Sequence, residues 1–184
     1  MVRFLLNQYM FNKPWHAYAM PRLLWCLAGA SAGITLALWL AGPRVNPFLL
    51  ASLGGSAVFL FGLTQAPAAQ PRALFGGHLS GALIGIACYH WLGDSLQVQA
   101  LAVALTLAFM LTTRTVHPPA GANPLLMVHL HAGWSALWQP VLVGVGTLAM
   151  VAWVWSRCYP GLARYPVAPW QPNPPHLTWG GWGG

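Results

Sequence analysis

Five times this sequence runs on without a charged residue for long enough to cross a lipid bilayer: 23–43, 45–71, 73–93, 95–113 and 115–156. A spanning helix needs about 20 consecutive, mainly apolar residues. The last run has room for two crossings, with a break around Gly133–Pro140 (GWSALWQP), and the apolar part of the second run is Pro47–Leu63. Charged residues make up 5% of the chain, against about 25% in soluble domains. Too few remain to build a polar shell against water. The expected class is an all-α membrane protein, a multi-spanning helical bundle whose main partner is the lipid bilayer, and 184 residues suit one such domain.

A single acid, Asp94, stands against eight Lys and Arg, for a formal net charge of +7. The cations are scattered singly, which suits loop charges that set orientation and argues against a nucleic-acid partner. At least four segments must cross. Six crossings with a cytoplasmic N-terminus place Arg3, Lys13, Arg22, Arg72, Arg114, Arg157 and Arg164 inside, and only Arg44 and Asp94 outside. If the second and fifth segments were re-entrant, Arg44, Arg72 and Arg114 would all lie outside, against the preference of short cytoplasmic loops for Lys and Arg. Six crossings with both termini inside are therefore expected. The first apolar run follows Arg3, Lys13 and Arg22 and reads as an uncleaved signal-anchor helix.

Three parts follow: an interfacial tail over 1–20, a transmembrane domain over 21–158, and a Pro/Trp/Gly-rich tail over 159–184. Trp170, Trp179 and Trp182 suit the membrane interface, as do Tyr9, Phe11 and Trp15. Six segments divide into a 3+3 inverted repeat with short broken helices, an arrangement common in transporters. Arg44-Val-Asn-Pro47 ends the first helix and Arg114-Thr-Val-His117-Pro118 the fourth. Each precedes a short Gly/Ala-rich segment and then a Gln-Pro pair (Gln70-Pro71, Gln139-Pro140) that opens a long helix. Gly77, Gly81 and Gly85 recur at four-residue spacing, a close-packing seam between helices. The cysteines Cys26, Cys88 and Cys158 are distant from one another and form neither a disulfide framework nor a zinc site.

Three strings carry polar groups into apolar surroundings. In Arg114-Thr-Val-His117-Pro118-Pro119-Ala-Gly121-Ala-Asn123-Pro124 an apolar helix ends at a cation, and two prolines pre-organise a new helix start. A helix N-terminus at that place has free N–H groups and a positive dipole end, which favour a small anion. The same string also reads as an interfacial loop whose prolines only stop and restart helices. Ser52-Leu-Gly54-Gly55-Ser56-Ala57 weakens the second segment and offers N–H and O–H donors, or else forms a packing seam. Gln70 and Arg72, followed by Gly76-Gly77-His78, put further donors beside a helix start.

These strings together resemble the HPP family of small multi-spanning membrane proteins, named for the motif that appears here as His117-Pro118-Pro119. The resemblance covers roughly residues 20–157. It includes Gly54-Gly55-Ser56-Ala57, Ala69-Gln70-Pro71-Arg72, Gly77-His78 and Thr113-Arg114 through Ala122. It departs from the expected pattern at Asn123-Pro124, where small apolar residues are anticipated. The resemblance implies nitrite transport and, with the charge arithmetic, a bacterial cytoplasmic membrane.

Intramembrane ionisable residues are functional candidates, which draws attention to His78, His90, His117, His129 and His131. His129 and His131 would point to opposite sides of a helix, and no Asp or Glu lies near to complete a hard-metal site. Neither a metal nor another cofactor is expected. Nor is an enzyme, since there is no paired carboxylate and no nucleophile elbow. The expected function is a transporter or channel for a small inorganic anion. Arg114, His117, Pro118, Pro119, Gly121, Asn123, Gly54, Gly55, Ser56, Gln70, Arg72 and His78 would bind it, and His117 or His78 would handle protons. The alternative is a non-transporting scaffold or sensory anchor that forms homo-oligomers through its Gly-rich faces.

Overall fold

The computed structural model describes residues 15–42 and 51–173, with side chains from residue 20 onward. Six helices follow in order: α1 (Trp15–Ala41), α2 (Ala51–Gly62), α3 (Pro71–Leu92), α4 (Leu96–Thr113), α5 (Ala122–His129) and α6 (Val143–Trp155). α6 continues a 3-10 turn at Trp134–Leu137 and a π-turn at Trp138–Leu142. Among the described residues all regular structure is helical, as lipid demands, because a helix satisfies its own backbone polar groups.

The bundle has two ends. At the near end the start of α1 meets the end of α6, where Trp155 Nε1 donates to the Trp25 carbonyl at 2.9 Å. The start of α3 meets the end of α4 there, through Arg72 Nη2 and the Thr113 carbonyl at 3.0 Å. At the far end Gln139 Nε2 donates to the Ala41 carbonyl at 3.0 Å, and Asp94, between α3 and α4, pairs with His131 at 2.9 Å. The chain thus passes between the two ends six times. Two of the passages are not full-length helices. α5 has 8 residues, about 12 Å of rise, and α2 has 12 helical residues, about 18 Å, against a hydrocarbon core of about 30 Å.

Arg22, Arg72, Arg114 and Arg157 all gather at the near end, with Asp94 at the far end, as the charge arithmetic requires. Arg3, Lys13 and Arg44 lie outside the described residues. The two halves also correspond. α1 packs along α6 and α3 along α4, so the first helix of each half lies against the third helix of the other. The Gln-Pro openings take part. Gln139 Nε2 bonds the last carbonyls of α1, and Arg72, two residues after Gln70, bonds the last carbonyl of α4.

No hydrophobic force draws helices together in lipid, so close packing depends on small residues. Gly29 and Gly33 of α1 admit Trp155, Phe61 and Leu148, and Trp25 stacks on Trp155 with ring centroids 4.5 Å apart. Leu24, Leu27 and Leu38 of α1, Leu101, Leu105 and Phe109 of α4, and Met150 of α6 face outward, where lipid covers them. The glycine seam of α3 is occupied within the chain. A Cβ on Gly77 would come 2.9 Å from His117 Cβ, one on Gly81 2.9 Å from the Ala120 carbonyl oxygen, and one on Gly85 2.7 Å from Pro124 Cα. These glycines let the broken fifth segment lie directly on the α3 backbone.

The part of the C-terminal tail up to residue 173 folds back over the near end. Tyr165 is buried there, whereas Trp170 stays exposed, as an interfacial residue would. Trp179, Trp182 and the N-terminal tail up to residue 14, with Tyr9 and Phe11, lie outside the described residues, and of Trp15 only the backbone is described.

Candidate functional site

Where α2 and the fifth segment meet α3, five polar side chains are buried together: Ser52, Ser56, His78, His117 and Asn123, each between 0% and 5% exposed. Ser52 and Ser56 are four apart on α2 and so share one helix face. His78 lies two turns into α3. His117 ends the chain's exit from α4, where Arg114 adopts the left-handed conformation (φ 57°) that turns the backbone out of the helix. Pro118 and Pro119 then start a 3-10 turn that delivers Asn123 into α5. Pro119 packs against Gly55, where a Cβ would sit 3.0 Å from Pro119 Cβ.

The proton positions follow from the partners. His117 Nδ1 lies 2.6 Å from the Ala68 carbonyl, which only accepts, so Nδ1 carries the hydrogen. In the neutral ring Nε2 then has a lone pair, which Ser56 Oγ, 2.8 Å away, fills by donating its hydroxyl hydrogen. With that hydrogen spent, His78 Nε2, also 2.8 Å from Ser56 Oγ, must donate to it. His78 Nδ1 is left as an acceptor and takes Asn123 Nδ2–H at 3.1 Å, while the same amide nitrogen donates to the His78 carbonyl at 3.0 Å. Asn123 Oδ1 accepts from Ser52 Oγ at 2.6 Å. Every group in this chain finds a partner, as buried polar groups must. None of the side chains is an acid.

The other expected site residues sit elsewhere. Gln70 Nε2 donates to the Thr64 and Ala66 carbonyls, and its Oε1 accepts from Val167 and Ala168 N–H, so the side chain is tied to backbone throughout. Arg114 Nε donates to the Asn173 carbonyl at 2.7 Å. Arg72 bonds the end of α4 through Nη2, and its buried Nε has no partner among the described residues. Gly54 and Gly121 face open space, and Pro118 is exposed. Thus Ser56, His78, His117 and Asn123 converge, Gly55 and Pro119 support them, and the two arginines and Gln70 form the near end.

Two network members lie outside the expected binding set: Ser52, which the sequence offers only as a donor within the Ser52–Ala57 string, and the Ala68 carbonyl. The four-residue spacing of Ser52 and Ser56 is a signal for the first. A backbone carbonyl leaves no signal in sequence.

A cavity of about 400 Å³ opens at the near end, lined by Arg22, Trp25, Thr64, Gln65 and Ser156 among others. Leu60 and Phe61 of α2, one turn beyond Ser56, also line it. At the far end Asp94 lies below the usual carboxylate range, held there by the Gln99 amide and by His131. His131 lies past the end of α5 in a left-handed conformation (φ 51°), so it and His129 do not share a helix.

Comparison with known proteins gives a consistent result. The profile of the family described as "HPP, transmembrane region" matches residues 16–166. Two Dictyostelium discoideum proteins, each described as a transmembrane protein, are similar. One is 34% identical over 131 residues, covering 67% of this chain and 42% of the relative. The other is 32% identical over 130 residues, covering 66% of this chain and 45% of the relative. The chain therefore spans less than half the length of these relatives. No solved structure matches it.

Proposed function

Because the chain belongs to the HPP transmembrane family, and is an integral membrane protein, we propose that it transports a small inorganic anion, nitrite first among the candidates. The observation that carries this reading is the buried, acid-free network of Ser52, Asn123, His78, Ser56 and His117 where two broken helices meet. Polar and ionisable groups are costly in a membrane interior and mark substrate pathways. Short, interrupted helices at corresponding positions of two inverted halves are the usual setting of a transporter's binding site. The network supplies hydroxyl, amide and imidazole donors to replace an anion's water shell, and no carboxylate to repel it. The near-end cavity, with Arg22 on its wall, would collect anions, with Arg72 and Arg114 at the same end. By the preference of cytoplasmic loops for Lys and Arg, the near end faces the cytoplasm, and the proposed membrane is a bacterial cytoplasmic one.

The scaffold alternative drew on glycine faces free to pair with a second copy. The α3 face instead holds the chain's own residues 115–124.

The test is flux of nitrite, nitrate, formate and chloride into proteoliposomes of the purified protein, compared with empty vesicles and with Asn123→Ala. Nitrite entry above empty vesicles, lost in a variant that still elutes as folded protein, supports the reading. Absence of flux for all four anions would sink it.

A further inference from the structure

We infer that His117 Nε2 is the binding site of a proton that loads together with the anion, so that the two travel as a neutral pair. This rests on the transport reading above and names its coupling ion.

The argument starts from the hydrogens of Ser56. Its hydroxyl has one donor and two acceptor positions, and three neighbours within reach: His78 Nε2 and His117 Nε2, both at 2.8 Å, and the Ser52 carbonyl at 3.1 Å. With His117 neutral, the hydroxyl donates to His117 and accepts from His78, and one lone pair stays idle. The Ser52 carbonyl is then an unused alternative. When a hydronium ion gives up a proton to Nε2 and leaves as water, the Ser56 hydrogen rotates to the Ser52 carbonyl. The new Nε2–H donates to Ser56 Oγ. The hydroxyl now donates once and accepts twice, and Nδ1–H still donates to Ala68. One N–H bond has formed, one O–H bond of hydronium has broken, and no buried group has lost its partner. His78 has no such alternative, because its Nδ1 already accepts from an amide that also holds the His78 carbonyl.

The surroundings explain why the proton would not come alone. α2 presents Ser56 and Phe59 to this ring, α3 presents His78 and Gly77, the Pro67–Ala69 turn presents a carbonyl, and Met110 of α4 lies beside Gly77. Apart from His78 none of these is titratable. The nearest cations in sequence, Arg72 and Arg114, bond to carbonyls at the near end, and Asp94 lies at the far end. An imidazolium here has no counter-charge in the protein. A buried charge is tolerable only when paired, and the transported anion is the available partner. Proton and anion therefore favour each other's binding by the same factor.

Two measurements on the full chain test this. The first is ¹⁵N-histidine NMR in nanodiscs, with His117→Gln and His78→Gln used only for assignment. At neutral pH without nitrite, His117 should carry its hydrogen on Nδ1 and His78 on Nε2. Adding nitrite while lowering the pH should convert His117, and not His78, to the doubly protonated form. Ser56→Ala, which removes the acceptor for the new N–H, should weaken proton uptake about tenfold or more. A His117 ring that carries its hydrogen on Nε2, or that stays neutral between pH 5 and 7 with nitrite present, overturns the proposal whatever the transport assay gives. The second measurement follows internal pH in wild-type proteoliposomes during nitrite entry, after subtracting empty vesicles. One proton per anion and no dependence on membrane potential are expected. Voltage-driven entry without acidification overturns the coupling and leaves transport standing. No entry at all overturns both.

Discussion

Arg114 and Asn173, 59 positions apart, hold each other twice: Arg114 Nε donates to the Asn173 carbonyl at 2.7 Å, and Asn173 N–H donates to the Arg114 carbonyl at 3.1 Å. The cation that ends α4 is thereby also the clasp of the C-terminal tail. Arg114→Ala removes one bond of the pair. The expected result is several-fold faster proteolysis or amide exchange within 159–173, with α1–α6 still folded. Unchanged protection would show that the side chain does not hold the tail.

Gly81→Ala should destabilise the bundle by about 1–3 kcal/mol, the usual cost of overpacking, because its Cβ would meet the Ala120 carbonyl oxygen, which cannot rotate away. Gly54→Ala makes the control, since nothing lies within 4 Å of a Cβ there. Thermal unfolding in detergent should separate the two. Equal melting temperatures would contradict the close approach of the fifth segment to α3.

Asn123→Leu leaves the Ser52 hydroxyl, His78 Nδ1 and the His78 carbonyl without their amide partner. Each buried polar group so orphaned costs about 1–3 kcal/mol. Ser52→Ala orphans only Asn123 Oδ1 and should cost less. Chemical denaturation ranks the two, and a milder Asn123→Leu would mean that the amide is not the hub.

Part of this site was legible in the chain and part was not. The uncharged runs specify helices, and the single acid with its scattered cations specifies which loops share an end, because in lipid both follow from the cost of burying charge and bare backbone. His117-Pro118-Pro119 announces a broken helix for the same reason. The sequence could not say that Arg114 and Gln70 would be tied up by residues 167–173, because such partners depend on where a tail folds back. Nor could it say that Gly77, Gly81 and Gly85 pack on the same chain and not on a second copy. Seam glycines look alike in both cases. Asn123, which breaks the expected apolar pattern, proved to join α2 to α3.

The far end offers a pH-dependent link. The carboxyl of Asp94 is held below its ordinary range by Gln99 and His131, so the contact contributes fully above that range and is lost as pH falls through the lowered value. Asp94→Asn should abolish the acid-side change in melting temperature and leave little effect at neutral pH, where an exposed pair contributes little. A variant with the wild-type acid profile would place the acid sensitivity elsewhere.

Several of the backbone groups that complete the near end come late in the chain. Gln70 Oε1 waits for Val167 and Ala168, the Arg72 N–H for the Pro169 carbonyl, and Arg114 for Asn173. A ribosome delivers these about a hundred residues after Gln70 in one case and 59 after Arg114 in the other. During biosynthesis, then, α3 and α4 enter the bilayer before the tail partners of Gln70 and Arg114 exist, with the bond from Arg72 to the Thr113 carbonyl joining these ends. The order of assembly is written into the fold: insertion of α3 and α4 comes first, and residues 167–173 close the seal afterwards.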